Sequence, residues 1–357
     1  MKQKKPSKLL IAFLILIGVT LALVAAVLGL WLHGQSALRS SDAVPQLPLP
    51  EPEPAEAEPE AAPDDTVLDG HTVCYNGEYY RYNEDLCNIL LLGIDAEEKP
   101  AEAGHFGGAN QADVLILAAL DLKQDKLTLI SISRDAMVDL ELLDETGADA
   151  GTGHAQLALS FSYGDGLERS CELTRDAVSG LFYGLPIQSC AALYLGGLPV
   201  LNDAVGGVTL TVAEDFPYTE VKGGESLIPG TEVTLTGAQA RRYIQTREST
   251  TEGNNGRMQR QKQYILALLQ QVKAAIREKP TAALDLYGIV SDYTVTDLSL
   301  DRMLYLATEA VSLRFDGEIC NVPGESVLGS EQHAEYRVDE TALSELMLRV
   351  FYEKVDP

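Results

Sequence analysis

The chain has 357 residues and a formal charge of −26, from 27 lysines and arginines against 53 aspartates and glutamates. Nucleic acid is held through a basic face, so this balance argues against a nucleic-acid partner and puts the weight on where the few cations stand. The five cysteines, Cys74, Cys87, Cys171, Cys190 and Cys320, are too scattered for paired zinc ligands and leave at least one thiol unpaired in a monomer. Disulfides and buried free thiols are equal alternatives for the rest.

Residues 1–8 carry Lys2, Lys4, Lys5 and Lys8, and an uncharged apolar run follows from Leu9 to Leu32. At about 1.5 Å per residue that run crosses a hydrocarbon core of about 30 Å. The lysines hold residues 1–8 in the cytoplasm by the positive-inside rule, which makes the chain a single-pass type II membrane protein with its C-terminal part extracytoplasmic. A cleaved signal peptide would show an apolar region of only about 7 to 15 residues before a small-residue cleavage site. Ala37, after Gln35 and Ser36, fits such a site poorly. An uncleaved transmembrane helix over 9–32 is therefore expected.

Within a linker over 33–71, Pro45 to Asp65 is dominated by Pro, Glu and Ala without apolar periodicity, which predicts an extended, self-repelling stalk. Folding is expected from residue 72 to 357. Val73 to Tyr82 places Asn76-Gly77 between aromatic and apolar residues, a hairpin cue. Strand-like runs at Asn88–Ile94, Val114–Leu120, Leu127–Ser133 and Val208–Val212 alternate with helical stretches at Leu173–Leu181, Leu198–Val205, Ala238–Ile244, Arg257–Lys279 and Leu300–Ser312. The alternation predicts an α/β fold, a layered α/β/α domain around a central mixed β-sheet, preceded by one transmembrane helix.

The polar link Asp121 to Lys126 is short enough for an antiparallel hairpin. Symmetric pairing about it sets Asp113 opposite Arg134, with Cβ atoms about 5 Å apart. If Asn88–Ile94 runs parallel to Leu127–Ser133, Asp95 opens onto the same edge. A plain Asp113–Arg134 salt bridge with a solvated Asp95 is the structural alternative. Further on, Thr236 can cap a helix that ends near Arg247, and Asn254 or Asn255 can cap the next one. Arg257 and Arg260 would then share its first turn, where cations oppose the macrodipole unless an anion lies nearby. Exposed N–H groups, the dipole and the arginines would suit a phosphate or pyrophosphate; Glu248 and Glu252 are the alternative partners.

NILLLGID at Asn88–Asp95, QADVLIL at Gln111–Leu117, SISRD at Ser131–Asp135, LNDAVGGVTLTV at Leu201–Val212, LTGAQARRYIQTR at Leu235–Arg247 and GRMQRQKQYI at Gly256–Ile265, in this order behind a type II anchor, resemble the LytR-CpsA-Psr (LCP) family. The resemblance covers a core of about 88–272, more weakly the rest. It implies a membrane-anchored enzyme of Gram-positive cell-wall assembly, transferring a glycopolymer such as a teichoic acid or capsule from a polyprenyl (pyro)phosphate carrier to peptidoglycan. In the family the acceptor is commonly the 6-hydroxyl of N-acetylmuramic acid. Carried over, Asp95 and Asp113 match the acidic positions associated with Mg²⁺ (or Mn²⁺) and with the acceptor reaction. Arg134, Arg247 and Arg257 match headgroup contacts, and Arg260-Gln261 match the terminal Arg-Gln pair.

Three departures each remove a permanent cation. Gln111-Ala112-Asp113 stands for the usual Arg-Ser-Asp, and His154 before Ala155-Gln156 stands for Lys before Ile-Asn. Tyr243-Ile244-Gln245-Thr246-Arg247 stands for Tyr-Val-Arg-x-Arg. His154 recovers charge only near or below its ordinary pKa of about 6.5. These changes imply a weaker grip on the donor at Gln111, His154 and Gln245, or an altered donor. The alternative is a non-catalytic protein that binds a polyprenyl phosphate or wall polymer. A transcriptional role conflicts with a cytoplasmic segment of about eight residues, too short for a DNA-binding domain. Gly206-Gly207 and the Tyr163–Gly166 run read as turns. Leu173, Val178, Leu181 and Leu185 read as core.

Overall fold

The computed structural model describes residues 29–38, 43–48, 71–102, 106–108, 110–216, 226–246, 251–279, 281–329 and 333–356. Of the expected membrane span only residues 29–32 are among them, and none of the helices in the described residues is long and apolar enough to cross a membrane. The described chain opens with a helix over residues 29–38, α1. Strands β1 (Thr72–Tyr75) and β2 (Glu78–Tyr82) follow, joined by Asn76 and Gly77 at φ 51° and 73°. Positive φ at both central residues is the geometry that twists with the strands, and Asn-Gly adopts it at least cost.

Next come β3 (Leu86–Ile94), β4 (Ala112–Asp121), β5 (Lys126–Ile132), β6 (Met137–Leu143), β7 (Asp149–Gln156), α2 (Leu159–Ser162), α3 (Glu168–Leu181), β8 (Ser189–Tyr194) and α4 (Gly197–Ala204). Then follow β9 (Val208–Thr211), β10 (Glu232–Leu235), α5 (Gly237–Gln245), α6 (Thr251–Glu278), α7 (Ala282–Val290), β11 (Thr294–Thr296) and α8 (Leu300–Glu309). The chain closes with β12 (Arg314–Asn321), β13 (Gly324–Leu328), β14 (Ala334–Val338), α9 (Glu340–Phe351) and β15 (Tyr352–Val355).

The central sheet has the order β11-β8-β3-β4-β5-β12. β8 and β3 are parallel, as are β5 and β12, while β3–β4, β4–β5 and β11–β8 are antiparallel. The sheet is thus mixed, with β3, β5, β8 and β12 all ending at one edge. Its two faces follow from strand alternation. Leu90, Leu92, Leu115, Leu117 and Ile130 point toward α2, α3 and α9, where Phe161, Val178 and Met347 complete a core. Ile89, Ile116, Ala118 and Leu129 face Tyr305 of α8, Leu38 of α1 and the α6 side chains Ile265 and Leu269. A third cluster, with Val208, Leu210, Tyr243 and Tyr264, joins β9, α5 and α6. Leu173, Val178 and Leu185 are buried, and Leu181 packs against the first core.

Two parts of the expected linker are folded onto this body. Leu38 is 1% exposed and Leu47 5%; Gln46 N–H donates to the Tyr183 carbonyl at 2.7 Å, and Tyr352 Oη to the Pro45 carbonyl at 3.3 Å. The stalk reading is therefore corrected at its start: two apolar side chains, Val44 and Leu47, are enough to draw 43–48 onto the core despite a Pro-rich composition. The five cysteines are free thiols, Cys320 half-buried and the others buried.

Candidate functional site

Strands β4 and β5 pair Leu115 with Ile132 and Leu120 with Leu127. Continuing that register by two residues sets Asp113 opposite Arg134, and the two form an ion pair between Nη1 and Oδ1. Arg134 is clamped twice more: Nη2 donates to Gln111 Oε1 at 2.5 Å, and Nε lies 3.6 Å from Asp135 Oδ1. Gln111 thus works as a neutral acceptor for the neighbouring cation. Asp95, solvent-facing beyond the end of β3, donates its backbone N–H to the Gln111 carbonyl at 3.1 Å. All of these groups sit at the sheet edge where the parallel strands end, where α/β sheets commonly receive ligands.

The second group comes from α5 and α6. Thr236 caps α5 with a reciprocal capping box to Gln239. The helix ends at Gln245, and Arg247 lies outside the described residues. α6 begins at Thr251, so Arg257 and Arg260 lie in its second and third turns. The expectation of two cations in a first turn is corrected, and with it the argument from an opposed macrodipole. The face of α6 divides the two arginines. Arg257 and Gln261, one turn apart, look into the cleft. Arg260 turns inward and is 2% exposed. It stacks over the Phe216 ring at 5.5 Å and donates to the carbonyls of Tyr243 and Thr246 at 3.3 and 2.5 Å. It satisfies the last carbonyls of α5, a supporting position outside the cleft wall. Gln261 Nε2 also donates to the Ile244 carbonyl, at 3.3 Å. His154 stands on β7 opposite Asp139 of β6, its Nδ1 2.9 Å from Asp139 Oδ1, and lines neither cavity at the site.

Between the sheet and α4, α5 and α6 lies a cavity of about 390 Å³. Its apolar walls include Leu91, Ile116, Leu198, Leu201, Ile265 and Leu268, and its polar end carries Asp95, Asp113, Gln245, Arg257 and Gln261. A smaller space of about 70 Å³ shares Asp113, Arg257 and Gln261 and adds Ser131, Ser133, Arg134, Asp135 and Lys262. Asp135 and Lys262 escaped the reading of the sequence, although each adjoins a residue it singled out. Burial pushes the Asp135 carboxyl up, against the opposing pull of Arg134 and Arg257. Burial likewise pulls the Lys262 ammonium down, and its Nζ donates to Asn321 Oδ1. Among the described residues no cluster of three or more His, Cys, Asp or Glu could cage a metal on its own. Asp95 and Asp113 both line the larger cavity.

The fold is thus a mixed α/β sheet with a largely apolar cavity that also carries Asp95, Asp113 and Arg257. The sequence profile of the LytR_cpsA_psr family matches residues 58–348, and the chain belongs to that family. It is 30% identical over 233 residues to the polyisoprenyl-teichoic acid–peptidoglycan teichoic acid transferase TagU of Oceanobacillus iheyensis, covering 65% of each chain. To TagU of Enterococcus faecalis it is 28% identical, over 64% of this chain and 66% of that one. The match thus spans just under two thirds of these relatives' length. Among solved structures, B. subtilis TagV superposes with a TM-score of 0.57 at 22% identity, over 75% of this chain and 96% of that one. TagT bound to LIIa-WTA superposes at 0.55 and 21%, over 75% and 90%. At such identities the likeness is one of fold.

Proposed function

We propose that the chain is a membrane-anchored phosphotransferase that attaches a glycopolymer from a polyprenyl (pyro)phosphate carrier to peptidoglycan during cell-wall assembly. One observation carries this reading: the 390 Å³ cavity, or slot, is lined mostly by apolar side chains, and its charged residues Asp113 and Arg257 are shared with the small space that holds Arg134, a lining that suits a hydrocarbon chain with a phosphate head. The relatives named as teichoic acid transferases support it. The anchor over 9–32 is part of the proposal, supported by its uncharged apolar length behind four lysines.

In the transfer, the acceptor hydroxyl oxygen attacks the phosphorus on the glycan side of the carrier. The new O–P bond forms as the P–O bond to the carrier breaks, and polyprenyl phosphate leaves with that electron pair. The hydroxyl proton passes to a carboxylate, Asp95 or Asp113. Arg134 and Arg257 gather the charge that develops on the departing phosphate. Asp113 uses Oδ1 toward Arg134, which orients the carboxylate at the cleft wall. Asp95 and Asp113 would hold Mg²⁺ (or Mn²⁺), which when bound neutralises pyrophosphate charge.

The test is transfer of glycan from a pyrophosphate-linked lipid to peptidoglycan fragments by the full chain in detergent, followed by release of polyprenyl phosphate. Turnover that slows on chelation is expected. Retention of the lipid without release would make the protein a carrier-lipid binder instead.

A further inference from the structure

Gln245 lines the cavity where the family resemblance leads one to expect a cation, and the structure places an arginine one turn earlier on the same helix. Arg241 Nε donates to Gln245 Oε1 at 3.1 Å, so a guanidinium stands within one hydrogen bond of a residue that lines the cavity. Its other two nitrogens form a bidentate pair with Glu97, Nη1 to Oε2 at 2.7 Å and Nη2 to Oε1. Asp95, the carboxylate at the slot's end, lies close enough to favour the charged guanidinium. Lys99, the next cation on that loop, is committed to the Ser291 and Thr294 carbonyls at 2.6 and 3.1 Å.

The Glu97 carboxylate offers Arg241 two oxygens in the fork geometry that a phosphate would offer. This pair is largely solvent-facing, with side-chain exposures of 32% for Arg241 and 59% for Glu97, and such pairs contribute little to stability. Exchanging the partner is therefore cheap. The backbone beneath Glu97 is held independently of its side chain. Gly196 N–H donates to the Glu97 carbonyl at 3.1 Å and Leu195 N–H to the Ala96 carbonyl at 2.8 Å. A Cβ at Gly196 would come within 2.2 Å of the Glu97 carbonyl oxygen, so only glycine permits this approach. The carboxylate can swing away without moving the loop.

Resting on the function proposed above, we infer that Arg241 is the cation that replaces the one lost at Gln245. It is held on Glu97 in the resting protein and turns to an oxyanion of the carrier's phosphate when the slot fills. Gln245 is then a positioning residue that keeps the guanidinium aimed at the slot, and Glu97 competes with the headgroup for it.

The experiment is calorimetric titration of the full chain in detergent with geranylgeranyl pyrophosphate and with its uncharged alcohol. Arg241→Gln lowers affinity for the pyrophosphate about tenfold, the scale of one charge-assisted contact, and leaves the alcohol unchanged. Glu97→Gln raises pyrophosphate affinity, and adding Gln245→Arg to Arg241→Gln restores it. Wild-type binding with an unaltered Arg241→Gln affinity overturns the inference and leaves the function standing. An equal loss for alcohol and pyrophosphate overturns it too, since that reports damage to the slot. Wild-type protein that binds neither ligand overturns the function itself, and this inference with it.

Discussion

At the scale of single residues, Asp113 and Arg134 decide between chemistry and scaffolding. Their side chains are 19% and 26% exposed, so the pair is part-buried. If they were only a structural bridge, replacing either would leave turnover by the folded protein unchanged. If Arg134 gathers the charge of the leaving phosphate as proposed, Arg134→Ala is expected to lower transfer about 10²- to 10³-fold in protein that still folds. Asp113→Ala should do the same. Unchanged turnover in both variants would reduce them to a structural pair. This juxtaposition was readable because hairpin register needs only a short link and two apolar runs. The fate of Arg260 was not readable. Arg257 and Arg260 are equally spaced cations in the sequence, and only the position of the Phe216 ring and the end of α5 sends one inward and leaves the other at the cleft.

At the scale of elements, α1 brings the last residues of the expected membrane span, 29–32, together with 33–38, against the folded body. Trp31 Nε1 donates to Thr308 Oγ1 at 3.0 Å and its ring meets Tyr305 edge-on at 5.3 Å. His33 Nδ1 lies 2.7 Å from Asp301 Oδ2. Gly34 lies so close to the Asp301 carbonyl oxygen that a Cβ there would come within 2.3 Å of it. Hydrogen bonds from Ser299 and then His33 hold the Asp301 carboxyl down to about 2. A folded-state value below the unfolded one of about 3.9 means stabilisation present above pH 4 or so and lost as pH falls toward the folded value. Since Trp31 is the single tryptophan, its emission should shift to the red between about pH 4 and 2 before far-UV ellipticity is lost. Asp301→Asn should produce that shift at neutral pH. Emission that follows global unfolding alone, in both proteins, would show that the contact does not hold α1. The helices themselves were foreseen where capping chemistry was explicit, as at Thr236. The start of α6 was placed late because Asn254 and Asn255 mimic a cap that the chain does not use.

At the scale of the whole molecule, the proposed anchor would fix which side of the membrane the cleft faces. A reporter fused after Pro357 is expected to work only outside the cytoplasm, and the N-terminal sequence of the mature protein should still include residues 9–32. A cytoplasmic C-terminus, or a chain beginning after Gln35, would remove the anchor. Local periodicity, turn chemistry and one hairpin register were sufficient for the α/β class, the Asn76-Gly77 turn and the meeting of Asp113 with Arg134, because each depends on residues close together in the chain. Asp95 joined them through a parallel relation of β3 to β5 that the alternation of elements made natural. The tertiary structure alone decided the rest. β12 pairs with β5 and β15 with β2 across most of the chain's length, and no local pattern encodes such partners. The slot's lining reads in sequence as ordinary core, since Leu91, Ile265 and Leu268 have the spacing of buried residues whether they face packed neighbours or an open cavity. The same limit hid Arg241. A cation on a helix face gains meaning only once Gln245 and Glu97 are seen on either side of it, brought together by packing that apolar burial drives and sequence spacing does not record.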